Sequence, residues 1–523
     1  MLPEKGSGLM KNHAIFLLLC TIQIVVASDI DFLLDGLCCG YSRKKTIGKP
    51  TCCCCDKTMQ RSHSFMYTHP LDQYTLVDQF PCLSLMFCKN SDACAAFALA
   101  AEYISSIQST NVARYFLPSC NTNVLVSGDA NIHDLNDRII RAEWLGLPAT
   151  FRGEFTLSPQ QRQLGFILTY NKDLGLLFDS CFFEGMFLNV QLPIVFVENN
   201  IGFTQWDIQG VPGTCPFDLY QAFNQKAWLY GHIQNDQSRY SLSEINVKLG
   251  RAYVAEDCFL VAYYAMARFP TGNKQNPRFL FDTVVGNNGH FGFGLGVDFQ
   301  LVLNRDTSRC AICFFTNLES SFFIRNHQTR SFDLIGRPWS RYLLLTDANG
   351  QVGNTTPGIN ILTRDVRVHL YGIANFSMGW RFKTDCLECE IGYDIWGHGN
   401  EHLELLCKFP QHWGIAGQPT DTSIFPVTAS KSTIAQQAPN DMRYDAQANE
   451  FVPVFIPILE SDIDMNSGAA QATINHQLHA SFGLVRTGVK MDGFLGIGFF
   501  LEYPHRNAAL QSVGAWFKCG STF

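Results

Sequence analysis

Long ribbons of strictly alternating polarity constrain this chain more than any other feature. Between Gly289 and Asn304 the odd positions are Phe291, Phe293, Leu295, Val297, Phe299, Leu301 and Leu303. The even positions are His290, Gly292, Gly294, Gly296, Asp298, Gln300, Val302 and Asn304. Successive side chains of a β-strand point to opposite faces, so this ribbon has one oily face and one small or polar face. A second case runs from Asp365 to Lys383, where Val366, Val368, Leu370, Ala374, Phe376, Met378, Trp380 and Phe382 share one parity. It reads either as one long strand or as a hairpin turning near Tyr371-Gly372. Ordinary strands have about 5–6 residues. Less pure alternation runs through Asp137–Leu147, Thr150–Leu157, Arg162–Asn171, Glu184–Phe196, Leu242–Glu256, Phe259–Phe269, Cys310–Ile324, Leu387–Trp396, Ala472–Leu484, Met491–Tyr503 and Ser512–Phe523. No helical span of comparable length separates these segments, which excludes an α/β architecture.

A soluble sandwich also alternates, so three further features decide the setting. Many ribbons have the roughly 10 residues that a tilted strand needs to cross a bilayer. Their polar faces carry Gly, Asn, Gln and isolated charges, which suits an aqueous lumen. Aromatic residues recur toward ribbon ends, at Trp144, Tyr170, Tyr253, Tyr371, Trp380, Trp396 and Tyr503, as interfacial girdles require. Composition agrees: 16% of the 523 residues are charged, against about 25% in soluble domains, and the chain has 42 Phe and 41 Gly. Lipid forbids open sheet edges, so the expected fold is all-β, an antiparallel transmembrane β-barrel. Chain length less the long loops suggests about 14 strands, within a range of 12–18. The formal net charge of −7 and the absence of a basic domain argue against a nucleic-acid partner.

The chain divides into three parts. Residues 1–28 read as a signal peptide, with Lys5 and Lys11 ahead of the apolar run Ile15–Val26. Residues 29–121 form a small Cys-rich N-terminal region, either a plug or a periplasmic segment. Nine of the 20 cysteines fall between residues 38 and 94: Cys38, Cys39, Cys52, Cys53, Cys54, Cys55, Cys82, Cys88 and Cys94. In an exported protein these are disulfide candidates. Within this region Asp92–Gln108 reads as a helix, rich in Ala and Leu but carrying Glu102. Residues 122–523 are the expected barrel, interrupted by long loops at 208–241, 325–360 and 399–470; a short helix is expected around Phe217–Tyr230.

The last ribbon places Val513, Ala515, Phe517, Cys519 and Phe523 on one parity and stops at an aromatic residue. This resembles the terminal strand of Gram-negative outer-membrane β-barrels of the porin type. The Cys-rich region is similar to that of disulfide-linked major outer-membrane proteins of some intracellular bacteria. The resemblance implies a bacterial outer-membrane location, with Phe517 and Phe523 as an assembly signal read by the barrel-insertion machinery. It implies a porin-like channel for passive diffusion of small hydrophilic solutes, with outer-membrane lipid as a partner and no cofactor. A homo-oligomer or disulfide-linked neighbours are compatible with it. Two other functions remain open: a disulfide-cross-linked structural envelope protein, and a transporter of hydrophobic substrates with residues 29–121 plugging the lumen.

Candidate site residues follow from the polar parities. Arg152, Glu154, Glu244, Lys248, Asp298, Arg367, His369, Arg381 and Lys383 are pore-lining candidates. The stretch from Arg330 to Arg341 combines Arg330, Arg337, Trp339 and Arg341 and is the candidate constriction loop. The spacings Cys310-x-x-Cys313 and Cys386-x-x-Cys389 mimic a metal knuckle, but i and i+3 of a strand face opposite ways, so no metal is expected. No Gly-x-Ser-x-Gly motif occurs, and nothing marks a nucleophile beside His290, His369, His476 or His479, so the reading is not enzymatic.

Overall fold

The computed structural model describes residues 61–74 and 94–523 except for 108–109, 119–121, 135–136, 179–181, 211–212, 256–258, 304–310, 348–354, 371, 385, 416–439, 446–448, 456 and 487–491. The expected signal peptide, and Cys38, Cys39, Cys52, Cys53, Cys54, Cys55, Cys82 and Cys88, lie outside the described residues.

Twelve antiparallel strands close into a barrel. They are β1 (Ala95–Ser106), β2 (Gln160–Asp173), β3 (Met186–Asn200), β4 (Glu244–Ala255), β5 (Phe259–Pro270), β6 (Gly292–Val302), β7 (Ala311–Phe323), β8 (Ile373–Lys383), β9 (Leu387–His398), β10 (Thr473–Arg486), β11 (Gly493–Pro504) and β12 (Ser512–Thr522). Each pairs with its neighbours in the chain, and β12 pairs with β1 through Ala96↔Thr522 to Ser106↔Ser512. A thirteenth strand, Asp236–Leu242, continues β4 along the same edge of β3, where Ile194↔Leu242 gives way to Gln191↔Asn246. The register slips by one at Ser243, as a bulge requires. The count of twelve lies at the lower end of the expected range of 12–18, short of 14 for a reason that lies in the cap described below.

Strand burial alternates as the sequence alternates. On β11, Leu495, Ile497, Phe499 and Leu501 are 43–62% exposed on the outer face. On β10, Leu478, Phe482 and Leu484 do the same. Strands of 11–15 residues with this much outward apolar surface need a hydrocarbon solvent. Tyr170, Tyr253, Tyr503 and Trp380 are exposed on this outer face, as girdle residues should be. Trp144 and Trp396 are buried instead, the first in the cap and the second in the lumen.

The two rims differ. At one, connections are short: Lys383 to Leu387 and Ala255 to Phe259. At the other, the loops leaving β1, β3, β7 and β9 build a cap with its own core, in which Phe116, Phe151, Phe155, Phe223, Phe332 and Trp339 are fully buried. Phe155 stacks on Trp339 and Phe223 meets the same indole edge-on. The cap explains the overcounting. Its small sheets also have one apolar face against a core, so they alternate like barrel strands. Thr150–Leu157 yields the cap strand Arg152–Thr156, and Asp137–Leu147 yields Ile140–Arg141 followed by a turn of 3-10 helix. The 19-residue ribbon is neither one strand nor a hairpin. It breaks at Gly372, φ +148°, into Thr363–Leu370 in a cap sheet and β8 in the barrel. In loop 208–241 the expected helix is a single turn, Leu219–Ala222, capped by the Asp218 side chain, which accepts from Gln221 N at 2.7 Å.

The expected helix Asp92–Gln108 is strand β1, so the barrel begins at Ala95 and not at residue 122. Ala96, Ala98, Ala100, Glu102 and Ile104 face inward, while Phe97 and Tyr103 face outward. Ala favours helix in isolation, but pairing on both edges overrides that preference.

Candidate functional site

The lumen is occupied by the chain itself. Residues 61–74 run from the cap into the cap-side mouth of the barrel, and Phe65, Met66, Tyr67, Leu71 and Tyr74 are each at most 5% exposed. At the cap end, Ser62 Oγ donates to Asp333 Oδ2 (2.6 Å) and Ser64 Oγ donates to the Ser331 carbonyl (2.6 Å). His63 stacks on Tyr115 at 4.5 Å. Burial, reinforced by the Arg341 charge, pushes its pKa down to about 4, so the ring is neutral near pH 7.

Deeper, one carboxylate gathers the segment and the wall. Glu502 of β11, 1% exposed, accepts from His69 Nδ1 (2.7 Å), Tyr74 Oη (2.6 Å), Asn475 Nδ2 (2.7 Å) and Ser512 Oγ (2.7 Å). The His69 ring lies between Tyr74 and Trp396, with centroids 3.7 and 4.2 Å away. Two residues come from the segment and two from the wall, so this carboxylate is a latch. Close by, Tyr67 and Gln73 both donate to Asn287, which donates to Glu244. Gly165 of β2 makes the approach possible: a Cβ there would lie 2.6 Å from the Leu71 side chain.

Below the segment the wall residues fill the barrel. Arg268 pairs with Glu319 and lies 3.6 Å from Glu244; Lys248 reaches Glu319 at 3.0 Å. Arg381 pairs with Glu390 (2.7 Å) and Glu388 (3.0 Å), and His479 bridges Asp394 (2.6 Å) and Glu390 (3.2 Å). These groups pair with one another at low exposure, where leaving one charge unpaired is expensive. A cavity of about 10 Å³ flanks the segment, lined by Phe65, Met66, Leu71, Val195, Val197 and Val285 among others; that is room for about one water.

The sequence candidates scatter accordingly. Glu244, Lys248 and Arg381 are buried lumen residues; Asp298, which accepts from Asn317, and Lys383 lie on inward parities of β6 and β8. Arg152, Glu154, Arg367 and His369 are in the cap and not on the barrel wall. Arg152 pairs with Asp134 and Glu154, Arg367 with Glu404, and His369 lies opposite His402 in a cap sheet. Their ribbons bury the apolar parity in the cap core, so the polar parity faces out of the cap. The constriction-loop candidates also belong to the cap. Arg330, Trp339 and Arg341 are at most 1% exposed and Arg337 is half-buried. They close the passage through packing rather than ring an opening. Arg330 pairs with Glu401 at 3.0 Å and covers the Phe65 ring at 3.6 Å. Arg341 pairs with Asp333 at 2.6 Å and donates to Ser62 Oγ at 3.0 Å. Phe517 faces outward midway along β12, and Phe523 is exposed at the short-turn end of the barrel. Cys94 has no disulfide partner among the described residues, and its Sγ accepts from Lys172 Nζ at 3.3 Å.

Several lumen groups escaped the sequence reading. On β5 the inward parity is Leu260, Ala262, Tyr264, Met266 and Arg268, as apolar as the outward one, so parity hid Arg268. Residues 61–74 have no periodicity at all, and only the local density of His, Tyr and Phe sets them apart.

Neither a family model nor a curated protein matches the sequence. Among solved structures, the chain is similar to an outer membrane channel from Pseudomonas putida F1, at 8% identity and TM-score 0.36, covering 82% of this chain and 96% of that one. It is also similar to the P. putida toluene transporter TodX (9% identity, TM-score 0.26, 82% and 90% covered). A third is a Pseudomonas aeruginosa FadL homologue (8% identity, TM-score 0.25, 83% and 90% covered). Likenesses this distant assign neither cargo nor mechanism.

Proposed function

We propose that this protein is an outer-membrane transport channel held shut by its own N-terminal segment, with passage depending on release of residues 61–74. The Glu502 latch carries the reading. It joins two segment donors to two wall donors on one buried carboxylate, and such an arrangement closes the mouth without welding it. An always-open hydrophilic porin fits less well, because Phe65, Met66, Tyr67, Leu71 and Tyr74 occupy the cap-side mouth and Lys248, Arg268, Glu319, Arg381 and Glu390 pair with one another on the wall. The cargo is a small, largely apolar molecule. The apolar side of the space flanking the segment supports this, formed by Phe65, Met66, Leu71, Val195, Val197, Val284 and Val285, while Gln163, Asn199, Ser243 and Asp282 line the other side. The outer membrane is the setting that closed antiparallel barrels of even strand number, with short turns at one rim and long loops at the other, ordinarily occupy.

The test is uptake in cells lacking other routes, comparing a radiolabelled monoaromatic hydrocarbon with a small sugar. A mutant pair of cysteines, Leu71→Cys with Gly165→Cys, locks the segment to the wall where a Cβ at position 165 would lie 3.3 Å from the Leu71 Cγ. Uptake of the apolar probe should fall on oxidation and recover on reduction. Uptake that ignores the lock, or sugar uptake exceeding that of the apolar probe, would refute the reading.

A further inference from the structure

Docking of residues 61–74 gathers more carboxyl groups in the lumen than there are basic groups to match them. Asp72 enters with the segment: its Oδ1 accepts from Ser243 Oγ at 3.0 Å, and its Oδ2 has no hydrogen-bond donor among the described residues. Ser243 precedes Glu244 of β4, whose Oε2 accepts from Asn287 and whose Oε1 also has no donor among them. Beside Asp72, Leu71 packs over Gly165 of β2, which lies directly across from Glu102 of β1. Glu102 is 1% exposed, and neither of its carboxyl oxygens has a donor among the described residues. The charges acting on it are those of Asp72 and Glu502, both of its own sign.

The nearby basic groups are already committed. Arg268 of β5 pairs with Glu319 and donates to Ser321 Oγ at 3.1 Å, leaving one nitrogen 3.6 Å from Glu244. Lys248 lies 3.0 Å from the same Glu319, and His69 is bonded to Glu502. Tyr67 and Tyr74 donate to Asn287 and Glu502. Asp72, Glu102, Glu244, Glu319 and Glu502 therefore share Arg268, Lys248 and His69, five carboxyls against three basic groups. A buried carboxylate without a partner is costly, and such a group takes up a proton instead of keeping its charge. Burial pushes the pKa of the Asp72 carboxyl up. A metal ion is the poorer counter-charge, because no three His, Cys, Asp or Glu side chains among the described residues are grouped to hold one.

We propose that residues 61–74 form a proton-linked gate: the segment docks with Glu102 protonated and a second proton held between Asp72 and Glu244, and its departure hands both protons to water. This rests on the channel reading, in which the segment leaves for cargo to pass. Once it leaves, the three carboxyls meet water and ionise above about pH 4. Each proton held only in the docked state makes release up to about tenfold more favourable per pH unit. His63, at the cap end of the segment, works in the opposite sense, but only below pH 6.5; above that its ring is neutral whether docked or free, since burial pushes its docked pKa down to about 4. From neutral pH upward, rising pH therefore opens the channel.

Planar-bilayer recording of the full-length protein between about pH 6.5 and about pH 8.5 is the test. Native opening frequency should rise at least about tenfold across that range. In Glu102→Gln, which has no titratable group at that position, the rise should be several-fold smaller, and Asp72→Asn should flatten it likewise. A native opening frequency indifferent to pH overturns the proposal, and so does an undiminished rise in Glu102→Gln. Opening that follows the identity of the metal cation, at fixed pH and ionic strength, overturns it too. Should the variants fail to fold, infrared spectroscopy of the native protein decides: the carboxyl band of a protonated acid should be present near pH 7 and fade as the pH is raised, and its absence near pH 7 overturns the proposal. The two readings fail separately. If oxidising the Leu71→Cys/Gly165→Cys lock leaves uptake unchanged, the channel reading falls and the gate with it. If the lock controls uptake while pH leaves opening unchanged, the proton link alone is overturned.

Discussion

Replacing Glu502 with Gln should unlatch the N-terminal segment while leaving the barrel closed. The carboxylate accepts four hydrogen bonds, from His69, Tyr74, Asn475 and Ser512, and is 1% exposed. A Gln side chain has one acceptor oxygen and an NH₂ group that points donors at donors. At least two of the four bonds are therefore lost. A hydrogen bond to a charged group contributes about 1.5–3 kcal/mol, so losing two costs about 3–6 kcal/mol. Taking the lower figure as the loss in segment docking, and about 1.4 kcal/mol per tenfold, the released population rises roughly 100-fold. The twelve-stranded hydrogen-bond ladder is untouched, so unfolding of the barrel in detergent should shift little. Single-channel recording in planar bilayers reads the difference. Glu502→Gln should show frequent opening steps where the native protein shows rare ones. Glu404→Gln, on a cap residue 44% exposed, should behave as native. Equal opening frequency in native protein and Glu502→Gln, with the variant correctly folded, would refute the idea that this carboxylate holds the lumen shut.

Three other outcomes are expected. Gly165→Phe should expel Leu71 and its segment, since even a Cβ there would come within 2.6 Å of the leucine; limited proteolysis near residues 61–74 should accelerate, while Gly165→Ala, opposed only by the tip of that side chain, should be mild. Arg341→Ala strands Asp333 and frees Ser62 in the cap core, and a loss of about 3–5 kcal/mol in cap stability is expected, read by hydrogen exchange of the cap amides. Acid should loosen the cap through His63 and His290, whose folded pKa values are both pushed down to about 4 by burial. Above pH 6.5 neither folded nor unfolded state binds these protons; between 6.5 and 4 only the unfolded state does, so stability falls through that window by up to roughly 3 kcal/mol per histidine and is flat above it. A melting temperature unchanged between pH 7 and pH 4.5 in His63→Phe/His290→Phe, against a clear drop in native protein, checks the assignment.

The barrel was legible because lipid imposes a rule on every residue of a spanning strand. Leu495, Ile497, Phe499 and Leu501 alternate with Gly496, Gly498 and Phe500, and the outward set is as uniformly apolar as hydrocarbon demands. The inward set obeys no such rule. Gly296 and Gly498 looked like the lining of a wet passage, yet they make room for the rings of Tyr264 and Trp516. Arg152 and Arg367 looked like lumen charges, because a sheet packed on the cap core shows the same period of two as a sheet in lipid. β1 was read as a helix because four of its first six residues are Ala, and only its pairing with β2 and β12 decides otherwise. The latch was invisible for a different reason. Glu502 is separated from His69 by 433 positions, and nothing local to either marks the other.

The account stands on a closed barrel whose outer face meets lipid and whose mouth is filled by residues 61–74. Spin labels placed singly along β11 from Leu495 to Glu502, in protein reconstituted into bilayers, test both parts together. Labels at Leu495, Ile497, Phe499 and Leu501 should be relaxed by oxygen and shielded from a water-soluble nickel reagent, while labels at Gly498 and Glu502 should be reached poorly by either until the segment is released. Nickel access at the outward positions would remove the lipid, and free nickel access at Glu502 in the native protein would remove the plug.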